Sequence, residues 1–299
     1  AVPPGGAPAS ASPDVPPTFP PVLAESLGRT VDRALGMIPS PGLSVTVRLA
    51  DGTAWTGTAG HRSLSPDRPV DADTVFAIAS ITKTFVAALI LTLVDDGRLR
   101  LDDRLSRWVP DFPRADRITI RELLSHTSGI SDYFQEAAYL AQAFADRDRT
   151  WTPEEIVALI GDPVCDPGAC FEYSNSNFVL LGLVAETITG KSLATLIGGR
   201  LLDPLGLDRI VFQPDEPTPR DHAHGFLWGG GDRFYDQSGR IAVTPHESAV
   251  TVAWAAGAMA ASSPDLARWA EALYGGSVLS DRMLGEMLTF RKQIGRAHV

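Results

Sequence analysis

Ser80-Ile81-Thr82-Lys83 holds one of only three lysines in a chain of 299 residues; of the 26 basic residues the other two lysines are Lys191 and Lys292, and the remaining 23 are arginine. A chain that meets almost every demand for positive charge with arginine has placed a lysine three residues after a serine. Arginine cannot give up its proton at any usable pH, whereas a desolvated lysine can. From Ser80 the pattern runs outward as a helix: Ile81, Phe85, Leu89 and Leu93 recur at helical spacing, and Gly97 stops the run after Asp96. A cation in the first turn of that helix opposes the helix dipole by about 0.3–1 kcal/mol. A positioned general base is worth about 10²–10⁴ in rate, so function outweighs the structural cost. Lys83 lies one turn after Ser80 on the same face, and burial together with the helix N-terminus is expected to push its pKa down.

The formal net charge of −10 argues against a nucleic-acid partner or an anionic membrane surface. The longest apolar stretch, Phe85 to Val94, is far shorter than the ~20 residues a membrane helix needs, so no membrane anchor is expected. Residues 1–22 are rich in Pro, Ala, Gly and Ser and read as a disordered leader of the kind left on an exported protein. Cys165 and Cys170 bracket Asp166-Pro167-Gly168-Ala169; Pro-Gly at the centre signals a type II turn, whose flanks can support a disulfide in an oxidising compartment. No His or Asp cluster surrounds the pair at ligand spacing, and His222-x-His224 alone is too little for a metal site. Neither a metal nor any other cofactor is expected.

Elsewhere, Gly42 to Arg48 and Thr53 to Ala59 are β-prone runs joined at Asp51-Gly52, a hairpin signal. Thr74 to Ile78 reads as a short strand leading into the Ser80 helix. Further helices are expected over Thr119–Ser125, from a Thr152 cap to Ile160, over Asn177–Thr189, and over Pro264–Tyr274 after a Ser262 or Ser263 cap. Pro214 to Pro245 reads as irregular.

Tyr173-Ser174-Asn175 is the second chemical element, in a chain with five tyrosines and only two asparagines, Asn175 and Asn177. A serine needs a base within hydrogen-bond reach to act as a nucleophile. Tyr173 could exchange a proton with the serine oxygen or the leaving group, and Asn175 can donate to and accept from a substrate amide. The Ser80 N–H at a helix start is a natural half of an oxyanion hole. His126, in Leu123-Leu124-Ser125-His126-Thr127-Ser128-Gly129, reads as part of a helix end and turn rather than as a catalytic base. Trp254 is open between a core and a pocket role. No G-x-S-x-G occurs to support a Ser-His-Asp hydrolase.

These motifs resemble the class C β-lactamase family of serine hydrolases, and within it the D-alanyl-D-alanine carboxypeptidases. The likeness runs from about Gly42 to Met287. It is carried by Ser80-Ile81-Thr82-Lys83, Leu124 to Gly129, Pro167-Gly168, Tyr173 to Phe178, Asp203-Pro204-Leu205-Gly206-Leu207, and Gly257 through Asp265-Leu266-Ala267-Arg268-Trp269. The resemblance implies an α/β fold of the α+β type, an antiparallel sheet flanked by helices plus a helical lobe, in one domain over residues 23–293. It implies Ser80 as the acylated nucleophile, Lys83 as its base partner, Tyr173 as proton shuttle and Asn175 as a substrate ligand. The expected partner is a small peptide, β-lactam or ester substrate, and the expected complete protein is a secreted or periplasmic monomer. A β-lactamase, a small-ester hydrolase and a D-amino-acid peptidase share every motif quoted, and a non-hydrolytic penicillin-binding sensor or a non-catalytic scaffold are readings of another class.

One element of the family is missing. Its third motif is Lys-Thr-Gly or His-x-Gly, and no Lys or His here has a Gly two positions later. The expectation is therefore a chain incomplete at its C-terminus, inactive by itself, lacking sheet strands, and ending in a non-native tail over 294–299. Ile81, Phe85, Leu89 and the hairpin's inward residues would then face water.

Overall fold

Leu23, Leu27, Val31 and Leu35 recur at helical spacing and form α1 (Pro21–Leu35). Pro21 sits in its first turn, where a missing N–H is tolerated. The leader expected over 1–22 therefore ends inside a helix: its proline-rich composition hides a helix start. The computed structural model describes residues 18–143, 146, 148–216, 221–231, 233–236 and 247–289. The first 17 residues of the expected leader, part of the Pro214–Pro245 stretch and the expected tail at 294–299 lie outside the described residues.

The hairpin forms as β1 (Gly42–Arg48) and β2 (Ala54–Leu64), paired antiparallel with Val45 opposite Gly57 and Thr46 opposite Thr56. Next, β3 (Asp67–Pro69) pairs with the end of β2, completing a three-stranded sheet. Then β4 (Phe76–Ala77) leads through a 3₁₀ turn into α2 (Thr82–Asp95). The helical region follows: α3 (Ile120–Leu124), α4 (Ala137–Ala143), α5 (Pro153–Val157), α6 (Asn175–Thr189) and α7 (Leu193–Ile197). Capping boxes at Thr119/Glu122 and Thr152/Glu155 start α3 and α5, each satisfying two otherwise orphaned N–H groups. After β5 (Ile210–Phe212), the stretch read as irregular contains a short antiparallel hairpin, β6 (Phe226–Trp228) with β7 (Phe234–Asp236). The chain then forms α8 (Glu247–Gly257), β8 (Met259–Ala261), α9 (Ser263–Tyr274) and α10 (Asp281–Met287). In the second sheet β8 lies between β4 and β5.

The core is built on α2 and α6, which are apolar almost all round and buried by their neighbours. Phe85 and Leu89 are fully buried, contrary to the expectation that one face of α2 would meet water; Ile81 alone of the three named is exposed, at 43%. The cover comes from α9: Trp269 stacks on Phe85 at 4.1 Å between ring centroids and donates its indole N–H to Thr84 Oγ1. Hydroxyls join α9 to β1, with Ser263 Oγ 2.7 Å from Ser44 Oγ and 2.8 Å from Thr46 Oγ1. Among the described residues no single helix is long and apolar enough to cross a membrane.

Candidate active site

Ser80 is delivered to the surface by a break between a strand and a helix. Ala77 pairs with Ala260, and the Ile78 N–H donates to the Met259 carbonyl. Ala79 then adopts a φ of 44°, a region alanine enters at a cost of about 1–3 kcal/mol. The chain turns sharply there, and Ser80 stands exposed in the 3₁₀ turn Ala79–Ile81, one turn before α2 proper. The Met259 N–H donates to Thr82 Oγ1 at 3.1 Å, pinning the start of α2 to β8.

Lys83 is buried at 7% exposure. Its ammonium has three hydrogens and finds three acceptors: Ser80 Oγ at 3.1 Å, Asn175 Oδ1 at 2.7 Å and the Ala256 carbonyl at 2.6 Å. Burial pulls its pKa down to about 8, against the upward pull of the Asp132 carboxylate. The Ala256 carbonyl belongs to a helix broken at Trp254, whose φ of 34° and ψ of −123° interrupt α8. Trp254 itself is buried, with its ring so close to Gly182 that a Cβ there would lie 2.8 Å from it. That resolves its role as core.

Tyr173 donates its phenol O–H to Ser80 Oγ at 2.8 Å, and its ring lies 5.1 Å from Lys83 Nζ. Two devices aim it. Backbone bonds tie the preceding loop to the 126–129 segment: Val164 N–H to Gly129 O, Gly168 N–H to Thr127 O, and Glu172 N–H to His126 O. The Cys165–Cys170 disulfide closes that loop, with Gly168 at a φ of 78° as the turn requires. The second device is His126, stacked on Tyr173 with centroids 4.5 Å apart. Its Nδ1 accepts from the Ser174 N–H and lies 3.2 Å from Asn177 Nδ2, while Asn177 Oδ1 accepts from Ser128 Oγ. Burial, then the nearby Lys83 charge, push His126 down to about 4. It is a neutral platform for the tyrosine.

The structure thus brings together all four residues singled out in the sequence: Ser80, Lys83, Tyr173 and Asn175. Sequence reasoning missed Asp132, the Ala256 carbonyl and the platform role of His126. A backbone carbonyl carries no sequence signal, and Asp132 is one of 36 acidic residues with no distinguishing spacing. The aromatic contact of His126 could have been sought, since Tyr173 needs a partner to hold its ring. Among the described residues no group of three or more His, Cys, Asp or Glu side chains is placed to hold a metal ion.

A serine on a helix start, bonded to both a lysine of the next turn and a tyrosine from a second element, agrees with the comparison to known families: the Beta-lactamase family matches residues 28–297. The chain belongs to that family. It is 28% identical to penicillin-binding protein 4* of Bacillus subtilis over 74% of this chain and 49% of the relative. It is 33% identical to penicillin-binding protein 4 of Amycolatopsis lactamdurans over 60% of this chain and 46% of the relative. The chain thus spans about half the length of these curated relatives. Among solved structures, D-amino acid amidase from Ochrobactrum anthropi SV3 superposes with a TM-score of 0.77 at 28% identity, over 88% of this chain and 73% of that one. A D-stereospecific amidohydrolase from a Streptomyces species gives 0.75 at 32% identity, over 88% and 77%. The fold is that of the β-lactamases and transpeptidases, and the family is one of serine hydrolases.

Proposed function

We propose that the full-length protein is an exported serine hydrolase that works through an acyl-enzyme on Ser80, with D-alanyl-D-alanine-type peptides as substrate. The observation that carries this is the double engagement of Ser80 Oγ, by Lys83 at 3.1 Å and Tyr173 at 2.8 Å. With a pKa of about 8 for Lys83, about a tenth of the molecules hold it neutral at pH 7. Neutral Lys83 takes the Ser80 proton as Oγ attacks the substrate carbonyl carbon. The tetrahedral adduct then collapses as Tyr173 passes a proton to the leaving nitrogen, and water attacks the resulting ester with the same groups in reverse. Asn175, whose Oδ1 accepts from Lys83 Nζ at 2.7 Å, lies beside the serine as the substrate-amide ligand. The Ser80 N–H serves as one oxyanion donor.

The substrate class is supported by relatives named as penicillin-binding proteins. A second reading, a D-stereospecific amidohydrolase of small amides, is favoured by the structural likeness to the D-amino acid amidase and the Streptomyces amidohydrolase. Export is supported by the Cys165–Cys170 disulfide, since such bonds persist in oxidising compartments.

Intact-mass analysis of the full-length protein with penicillin, a D-Ala-D-Ala peptide and a D-amino acid amide tests these readings together. The expected result is a penicilloyl adduct on Ser80 and turnover of the peptide. Turnover of the amide alone selects the second reading, and adducts that never discharge select a sensor. No adduct with any of the three overturns the proposal.

A further inference from the structure

We propose that Asp132 is a positioning residue for the Ser80 chemistry: it fixes which way the Asn175 amide points and so holds Lys83 in register with the serine. The inference rests on the serine-hydrolase reading above. An asparagine side chain has two ends of nearly equal size and opposite chemistry, and rotation by 180° exchanges them. Around Asn175 that exchange is forbidden from both sides. The Asp132 carboxylate, which only accepts, faces Nδ2 with Oδ1 at 3.1 Å and Oδ2 at 3.0 Å. The Lys83 ammonium, which only donates, faces Asn175 Oδ1 at 2.7 Å. Turning the amide over would set oxygen against carboxylate and NH₂ against ammonium. Asp132 is itself fixed: it is buried at 9% exposure, and its Oδ1 also accepts from the Asn175 N–H at 3.3 Å and the Phe134 N–H at 3.2 Å.

Placing a neutral amide between carboxylate and ammonium has a chemical consequence. A carboxylate in direct contact would hold the lysine firmly charged and unfit to accept a proton. Through Asn175 the same carboxylate orients Lys83 while pulling on its proton from farther away, and burial still dominates. The other titratable groups around Lys83 are the Tyr173 phenol and, stacked behind it, the neutral His126 imidazole. Tyr133 and Tyr139 lie toward Asp132, both pushed up chiefly by burial. Broken α8 presents the uncharged Ala256 carbonyl.

The test uses the full-length protein and reads Lys83 on its own peptide. Competitive acetylation across pH, resolved by peptide mass with Lys191 as internal reference, reads the Lys83 midpoint without requiring turnover. In Asp132→Asn the midpoint is expected to fall by about 1 pH unit, because an opposite charge has been removed. The penicillin acylation rate at the pH optimum is expected to fall by about 10- to 100-fold, the loss of one charged hydrogen bond, with half-saturation little changed. Asp132→Glu keeps the charge and should keep the midpoint. An unmoved midpoint in folded Asp132→Asn, or an undiminished acylation rate, overturns the proposal. Should Asp132→Asn not fold, Asp132→Glu decides, and a midpoint that falls despite the retained charge is the contrary result. Parent protein that never acylates defeats the hydrolase reading instead, and the acetylation midpoints still judge Asp132.

Discussion

Helix α2 and the β1–β2 hairpin are similar in size and lie in the same chain, yet they hold the molecule together in opposite ways. Ten of the 14 residues of α2 are buried. No residue of β1 is, and in β2 only Ser63 is, a polar one. The hairpin is joined to α9 by hydroxyl contacts at Ser44 and Thr46 and by the Arg48–Glu271 ion pair at 2.7 Å. Burial and chemistry therefore coincide in the helical region, where the Ser80 turn and the start of α6 meet. The difference makes substitutions in the two regions sharply unequal.

The largest effect belongs at the mouth of α2. In the full-length protein Ser80→Ala should abolish acylation by a β-lactam or activated ester while leaving the melting transition in place. A variant that still gained the acyl mass would remove Ser80 from the nucleophile's role. Lys83→Arg comes next, with a loss of about 10²–10⁴ in acylation rate, because charge is kept and proton acceptance is not. Stopped-flow acylation against pH checks the same group from another direction. The reactive form is the neutral amine, so the rate should rise with pH through about 8, the value to which burial brings Lys83. A rate that is flat from pH 6 to 9 would separate Lys83 from the proton transfer.

Within the core, Phe85 of α2 is fully buried and stacks on Trp269 of α9. Phe85→Ala should cost about 3–5 kcal/mol of stability, the range for emptying a fully buried aromatic site. Urea denaturation measures it. A loss below about 1 kcal/mol would mean that the α2–α9 contact is not part of the cooperative core.

What could be read in advance follows the same division. The Ser80–Lys83 pair was legible because one helical turn is a fixed distance, so spacing alone implies contact. The ends of α6 and α9 were legible from Gly190, which takes a φ of 68°, and from the Ser262 cap. Tyr173 and Asn175 were legible as rare residues at a fixed offset, although only the fold brings them 93 and 92 positions back to Ser80 and Lys83. Asp132 was not, since its meaning lies in what faces it across space. Nor was the cover over Phe85: it comes from Trp269, nearly two hundred residues later, whose helix was predicted without its docking face. The β6–β7 hairpin escaped because each strand is three residues long, too short for alternation to register.

The smallest expected effect is the sharpest test of the comparison. Val45 lies at the middle of β1, opposite Gly57, with 39% of its surface exposed. Val45→Thr keeps the β-branched shape that suits a strand and exchanges a methyl for a hydroxyl. At an exposed strand position such a change moves stability by about 0.5 kcal/mol or less. Buried, the same hydroxyl would lack a partner and cost about 1–3 kcal/mol. Urea denaturation of the full-length protein distinguishes the two. A near-neutral result keeps the hairpin as the weakly buried partner of a helical core. A loss of 2 kcal/mol or more would show that the face of β1 carrying Val45 is covered in the full-length protein, and that α2 is one of two cores rather than the only one.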